Sequence, residues 1–477
     1  MTANIGALII TGAYLVGMLL VGYFVGKLKI KNSEDYMVAG RRMGIFMVAF
    51  SLSANNIGGG STTGLAGKAF GEWGLSAIWY VLAASIAMIP LAWFAPRIRK
   101  TMAITIPEVI DRRFGRGSSI FSAILNIIAL FCLTSSQVMA SGSVIYTLTG
   151  IPLNVCLLVA GTVIIIYTTL GGMIADQISD MVQFIIIFAG LAIATPIVIR
   201  GCGGWGAIAS KLPGEQLSID KIGWVVIIGY IFNYFCTFLS GPEMISRFET
   251  AKDERTAKVA SLVSALMMAA MAVFPTLLGL AALAMVDQLP GVAGGNAMMM
   301  VTNKFAPTLI VGFISAAIIS ATMSSADSNL LCMSTMFIND IWKHTAKGRT
   351  LTDKQTIFAT RTCNVVFCVV AMGISLFGIN IITMNTFAFA IRCAGPFAAY
   401  GLGLVMPRAT RHSGQVSIIT GTIGVVIWQI LSGGGFYMGI LPVVFGCAVG
   451  TLTFFIVNAI EWKMGVEPAP TAYAEEK

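Results

Sequence analysis

Charge is what this chain has least of. Asp, Glu, Lys and Arg make up 11% of its 477 residues, against 57% hydrophobic, a balance that excludes an ordinary soluble domain of this length. Histidine is almost missing. The two present, His344 and His412, fall in short basic loops, which argues against histidine-based catalysis or a histidine proton relay. The nine cysteines show no CxxC and no metal spacing, and only Cys202 falls in an expected outer loop, so no disulfide framework is implied. No nucleophile–base pair stands out, which argues against an enzyme. The first apolar run, 5–26, lacks a basic leader and a small-residue cleavage site and reads as a retained helix. The net charge of +9 does not imply a nucleic-acid partner, because in a membrane chain the placement of charges matters more than their sum.

Long apolar runs are what the chain has in abundance. A membrane helix needs about 20 apolar residues at 1.5 Å rise each. Thirteen stretches qualify: roughly 5–26, 43–67, 74–96, 117–146, 152–170, 175–199, 223–241, 258–286, 306–339, 355–378, 381–406, 414–432 and 437–461. The expected fold is an all-α protein of the lipid bilayer. Basic residues set its orientation. With the N-terminus outside, inner segments hold 24 of the 30 Lys and Arg, including Lys31, Arg41, Arg113, Arg247, Lys347, Arg349, Arg411 and Lys477. Lys68, Arg200, Lys211, Lys221 and Lys304 fall outside, and Arg392 lies mid-helix. This asymmetry predicts an N-out, C-in topology in a cell (inner) membrane. The glycine-rich 201–222 connection reads as a capping loop and 466–477 as a short cytoplasmic tail, so 1–477 is expected to form one transmembrane domain.

Polar chemistry concentrates in one apolar stretch, 315–340, which carries Ser320, Thr322, Ser324, Ser325, Asp327, Ser328 and Asn329 at its middle. Hydroxyl residues alone read as glue between membrane helices. Asp327 does not, because a carboxylate at the bilayer centre costs roughly 2.5–3.5 kcal/mol. Hard oxygen ligands of this kind suit a small metal cation. Two other stretches read as broken helices. Residues 51–64 include Asn55-Asn56 and Gly58-Gly59-Gly60, and a second run ends at Ser240-Gly241-Pro242. Glycine clusters can serve close helix packing; beside two asparagines they read better as unwound backbone, which membranes tolerate where it lines a cavity. Counting the second span as the first of ten, the breaks fall in spans one and six. That spacing is expected of two inverted five-helix repeats, about 43–200 and 223–406, with a solute site between them. The helices at 5–26, 414–432 and 437–461 are then peripheral.

Three stretches resemble the sodium/solute symporter family: SANNIGGGSTTGLAG with the following GLSAIWY, IYTTLGGMIADQISDMVQ over 166–183, and MSSADSNLLCMSTMFINDIW over 323–342. A fourth, ISRFETAKDERTAK, is similar to that family's short inner loop after the sixth core helix. The resemblance covers nearly the whole chain and implies a LeuT-like five-plus-five core with one leading and two trailing helices, taking up a solute with sodium. It implies a main sodium site made by backbone oxygens of Ala54, Ile57 and Ala321 with the hydroxyls of Ser324 and Ser325. It also implies, for some members, a second sodium near Asp180, Ser325, Asp327 and Ser328. Asp327 departs from members with serine there. Two carboxylates would bind sodium more strongly, or one would keep its proton, since paired acids resist double ionisation. An ion pair at the inner helix end is the competing reading of Asp180.

The expected solute-lining residues are Asn56, Gly58, Ser61, Trp79, Tyr80, Gln137, Gly241, Phe389 and Arg392, each weighed against ordinary helix packing. Few polar groups remain to hold a sugar. Arg392, about eleven residues into its span, cannot shed its proton and needs an anionic or carbonyl partner. Two are available: a protein carboxylate, Asp327 or Asp180, or the carboxylate of a small organic acid or amino acid. The expected function is sodium-coupled uptake of such a solute by alternating access. Proton coupling, a neutral solute, or a sensor or channel on the same scaffold are the alternatives. No ring-type filter reads as a channel.

Overall fold

The structure is a computed structural model that describes residues 4–29, 32–170, 172–345, 351–433 and 435–473. Of the inner charges named above, Lys31, Lys347, Arg349 and Lys477 lie outside the described residues, as does Gly171 of the second motif. Among the described residues there are helices and no β-strands, with two isolated bridges. This follows from the composition: an apolar chain in hydrocarbon must satisfy its backbone internally, which a helix does within one segment. Among the described residues, nine helices are long and apolar enough to cross a membrane, or up to eleven when each of two bent pairs counts as one span. The remaining two expected spans are shorter apolar helices, Ile45–Asn56 and Leu153–Thr169, so length and composition do not confirm the count of thirteen.

Burial separates centre from rim. The stretch containing the polar cluster forms the helix Thr308–Met336, and 89% of its apolar window is buried, against 22% for Ile5–Val25. It packs on Met173–Gly201, Arg116–Thr149 and Ile5–Lys29. The helices Arg411–Ser432 and Pro442–Lys463 pack chiefly on each other, where a Cβ added at Gly424 would lie 3.5 Å from Gly446 Cα.

Both expected breaks are present. The helix Ile45–Asn56 stops, and a wide turn at Gly60–Gly64 leads into Leu65–Phe70. Trp224–Leu239 and Pro242–Thr250 meet at 57°. The expected continuous span 381–406 is also bent, by 52°, ahead of Pro396, whose ring cannot continue the helix hydrogen bonding. One expectation fails. Pro242–Thr250 is not an inner loop but a wholly buried helix, and its Arg247 is 0% exposed. That arginine is therefore a core charge and not part of the inner-facing count.

The end assigned to the inside is tied shut. Arg41 Nη1 meets Glu249 Oε2 at 3.0 Å, Thr101 Oγ1 donates to Glu249 Oε1 at 2.9 Å, and Thr105 Oγ1 donates to Asp340 Oδ1 at 2.9 Å. Met43 exchanges backbone hydrogen bonds with Thr250 and Lys252 at 3.0 and 2.9 Å. The cavity beneath, touched by Ser246 and Cys332, is only about 20 Å³.

Candidate functional site

The first break places small residues against three other helices. A Cβ on Gly58 would lie 2.6 Å from Ser325 Oγ and 2.7 Å from Gln137 Oε1, and one on Gly60 would lie 3.2 Å from the Tyr80 hydroxyl. Glycine is required here because the neighbouring side chains occupy that space. Gln137 Oε1 accepts the freed Gly59 N–H at 2.7 Å, replacing a helix hydrogen bond. Ser325 Oγ donates toward the Asn55 carbonyl oxygen at 2.8 Å and lies 3.2 Å from that of Ala321. Ala54 and Ile57 flank the Asn55-Asn56 pair and are buried. Ser324 turns the other way, donating to Asp180 Oδ1. A hydroxyl whose proton is committed to a carboxylate keeps its lone pairs for a cation.

Behind Ser324 lies a buried charge cluster. Arg247 Nη2 meets Asp176 Oδ2 at 2.5 Å and Asp180 Oδ2 at 3.3 Å, and also donates to Ser328 Oγ. Ser51 Oγ donates to Asp180 Oδ2 at 2.5 Å and receives Arg247 Nε at 3.2 Å. Asp327 lies beside Asp176, Asp180 and Thr168. Asp176 and Asp180 thus share the Arg247 guanidinium, with Asp327 beside them. Sequence reasoning found Asp180, Asp327 and Ser328 but missed Asp176 and Arg247. Asp176 is four residues before Asp180 and so on the same helical face, a signal that was available.

Seven of the nine expected solute-lining residues border one cavity of about 60 Å³: Asn56, Gly58, Ser61, Tyr80, Gln137, Phe389 and Arg392. Glu243, Tyr234, Asn329 and Asn385 join them. Trp79 does not: its indole N–H donates to the Ile219 carbonyl at 2.8 Å and its ring meets Trp224 edge-on, a packing role at the expected outer end. Gly241 instead leaves room for an ion pair, since a Cβ there would lie 3.1 Å from Glu243 Oε1 and 3.2 Å from Arg392 Nη2. The Arg392 partner is neither Asp327 nor Asp180. It is Glu243, whose Oε1 accepts Nη1 at 2.5 Å. One turn farther along the same seam, Gly64 and Ile382 line a larger cavity of about 470 Å³ towards the expected outer end.

The two breaks therefore meet at a polar cavity, with an oxygen cluster on one side and a charge cluster behind it. Residues 36–421 match the family model for the Sodium:solute symporter family. The chain belongs to that family. It is 29% identical to the osmoregulated proline transporter OpuE of Bacillus subtilis over 98% of this chain and 97% of that one. It is 28% identical to the high-affinity proline transporter PutP of the same organism, over 93% and 96%. A sodium/proline symporter of Staphylococcus aureus is 26% identical over 97% and 94%. Among solved structures, a Na+-coupled sialic acid symporter in a substrate-bound outward-open state superposes with a TM-score of 0.82 at 20% identity, over 97% and 98%. Mhp1, a nucleobase-cation-symport-1 family transporter, gives 0.62 at 15% identity, over 92% and 96%. The fold is LeuT-like, and the protein is a multi-pass membrane transporter, not an enzyme.

In this symporter one short helix carries three of the buried charges, Glu243, Arg247 and Glu249. Glu243 and Arg247 stand four apart on Pro242–Thr250, and Arg247 Nη1 donates back to the Glu243 carbonyl at 3.2 Å. Glu243 points its charge at Arg392 beside the cavity, and Arg247 points its own at Asp176 and Asp180.

Proposed function

We propose that this symporter carries a small amino acid of the proline class inward with sodium, from an N-out, C-in position in the inner membrane. The two repeats about 43–200 and 223–406 form the moving core of a single 1–477 domain. The observation that carries the reading is Ser325, which sits between the Asn55 and Ala321 carbonyl oxygens at the edge of the solute cavity. Carbonyls freed at a helix break and the hydroxyls of adjacent serines are hard, mostly neutral ligands, suited to holding sodium and releasing it. Ala54, Ile57, Ala321, Ser324 and Ser325 are assigned as the main sodium ligands. The proline transporters among the relatives, together with the compact cavity, support the solute class.

A second cation is assigned to Asp180, Asp327 and Ser328, because three buried carboxyl groups cluster there while one guanidinium bridges only Asp176 and Asp180. It is either a second sodium or a proton. Asp180 itself already accepts from Ser324, Ser51 and Arg247, so an arriving cation must share or displace those donors.

One charge crossing 100 mV supplies about 2.3 kcal/mol, roughly a 50-fold solute gradient. Proteoliposomes should therefore accumulate labelled L-proline under an inward sodium gradient and fail to do so with choline in place of sodium. Ser324→Ala with Ser325→Ala should abolish either uptake or its sodium dependence. Accumulation by that double variant at unchanged sodium affinity would sink the assignment.

A further inference from the structure

The wall of the cavity holds a charge pair that the cation ligands do not use. Glu243 and Arg392 are 7% and 1% exposed and share one contact, Oε1 to Nη1 at 2.5 Å. Among the described residues each has a second polar atom without a partner: Glu243 Oε2 accepts nothing and Arg392 Nε donates to nothing. Two other buried acids, Asp180 and Glu249, offer a comparison within the same protein, with Glu249 matched at both oxygens and a third acid, Asp340, also unmatched at one. Both oxygens of Asp180 accept hydrogen bonds, from Ser324, Ser51 and Arg247. A pair whose task was only to brace the helix break would be expected to be saturated in the same way, because an unmatched buried polar group is costly and a charged one more so.

The unmatched atoms have a definite chemistry. One is a negatively charged acceptor and the other a positively charged donor, on neighbouring residues of one cavity wall. The side-chain oxygens of Asn55 and Asn385, which border the same cavity, also lack partners. Aromatic surface adjoins them. Tyr234 meets Tyr80 and Phe389 with ring centroids 5.6 and 5.9 Å away, and the Arg392 guanidinium carbon lies 5.1 Å from the Phe389 centroid.

Resting on the symport reading above, the geometry points to the Glu243–Arg392 pair as the recognition element for a zwitterion. The solute's ammonium or ring N–H is held by Glu243 Oε2, its carboxylate by Arg392, and its apolar remainder lies on the aromatic group. The pair sums to zero charge. A plain carboxylate would face Glu243 and an amine would face Arg392, each a like-charge contact in a low-dielectric wall. The symporter is thus specific for α-amino or imino acids and rejects organic acids of the same size.

Sodium-dependent transport currents from proteoliposomes on a supported membrane test this with matched solutes. The panel is the L-amino acids, with tetrahydrofuran-2-carboxylate and pyrrolidine as the proline analogues lacking the N–H and the carboxylate, and lactate and ethylamine as those of alanine. Currents are expected with one or more amino acids and at least 100-fold weaker apparent affinity for either analogue of each. Glu243→Gln should raise the KM for the amino acid about 10–150-fold, the range of a lost charge-assisted hydrogen bond, while narrowing the gap to the amine-free analogue. A merely structural role would not change that ratio. Equal affinity for an amino acid and its amine-free analogue overturns the zwitterion inference and leaves sodium symport standing. Absence of sodium-dependent current across the whole panel overturns the amino-acid symport reading and this inference with it.

Discussion

Replacing Arg247 by methionine tests the charge cluster directly. The guanidinium is 0% exposed and lies 2.5 Å from Asp176 and 3.3 Å from Asp180. Taking the charge centres as about 4 Å apart at an effective dielectric constant near 20 gives about 4 kcal/mol for one pair. Breaking a buried pair by removing one partner costs a similar amount, roughly 3–5 kcal/mol, because the remaining charge stays buried. Unfolding entropy scales at about 2.1 cal/mol/K per residue, or roughly 1 kcal/mol/K over 477 residues. Each kcal/mol is then worth about 1 °C, and Arg247→Met should lower the melting midpoint of the detergent-purified protein by about 4 °C. Neutralising the partner should return much of it, so Arg247→Met with Asp176→Asn should recover about 2 °C or more. Sodium chloride should raise the midpoint of the single variant more than that of the parent, with choline chloride as control, since sodium can take the vacated position. A single variant within 1 °C of the parent, or a double variant whose loss equals the sum of the two singles, refutes the shared-charge account.

Two other outcomes are expected. Sodium titration of initial uptake should give a Hill coefficient above one that falls towards one in Asp180→Asn; a parent coefficient of one with uptake insensitive to pH would make both acids structural. Glu249→Gln removes one charge of the inner tie to Arg41, so alkylation of Cys332, which touches the small inner cavity, should quicken at least about 10-fold, the ratio for 1.4 kcal/mol. Unchanged labelling would mean that the Glu249 contacts do not hold the inner end.

Much of the architecture was legible because membranes impose simple rules. Apolar length located the spans, and Gly58-Gly59-Gly60 and Gly241-Pro242 marked both breaks, since neither can continue a helix cheaply. The serine-rich centre of Thr308–Met336 was legible for the same reason: polar groups at that depth require partners. What could not be read was which partners. Arg247 pairs with Asp176 across 71 positions and Arg392 with Glu243 across 149, and only packing brings such residues together. Arg247 was misplaced because ISRFETAKDERTAK looks like one charged loop. Proline at the first helical position and Glu243 four residues before Arg247 were the local signs that its first part is a helix. Trp79 was misplaced because an aromatic near a polar helix can as well seal an outer end.

The nine-residue helix Pro242–Thr250 has a mechanical consequence. Besides Glu249, it carries Glu243 and Arg247 four residues apart, about 6 Å along the axis, one bridged to Arg392 beside the cavity and the other to Asp176 in the cluster behind it. When a segment this short moves as one body, a displacement that opens the bridge to Arg392 also shifts the one to Asp176. Whatever loads one end biases the other. Thermodynamic reciprocity then requires that the factor by which cation raises affinity for solute equals the factor by which solute raises affinity for cation. The tightness of that exchange is set by how rigidly two latches ride on one turn of helix.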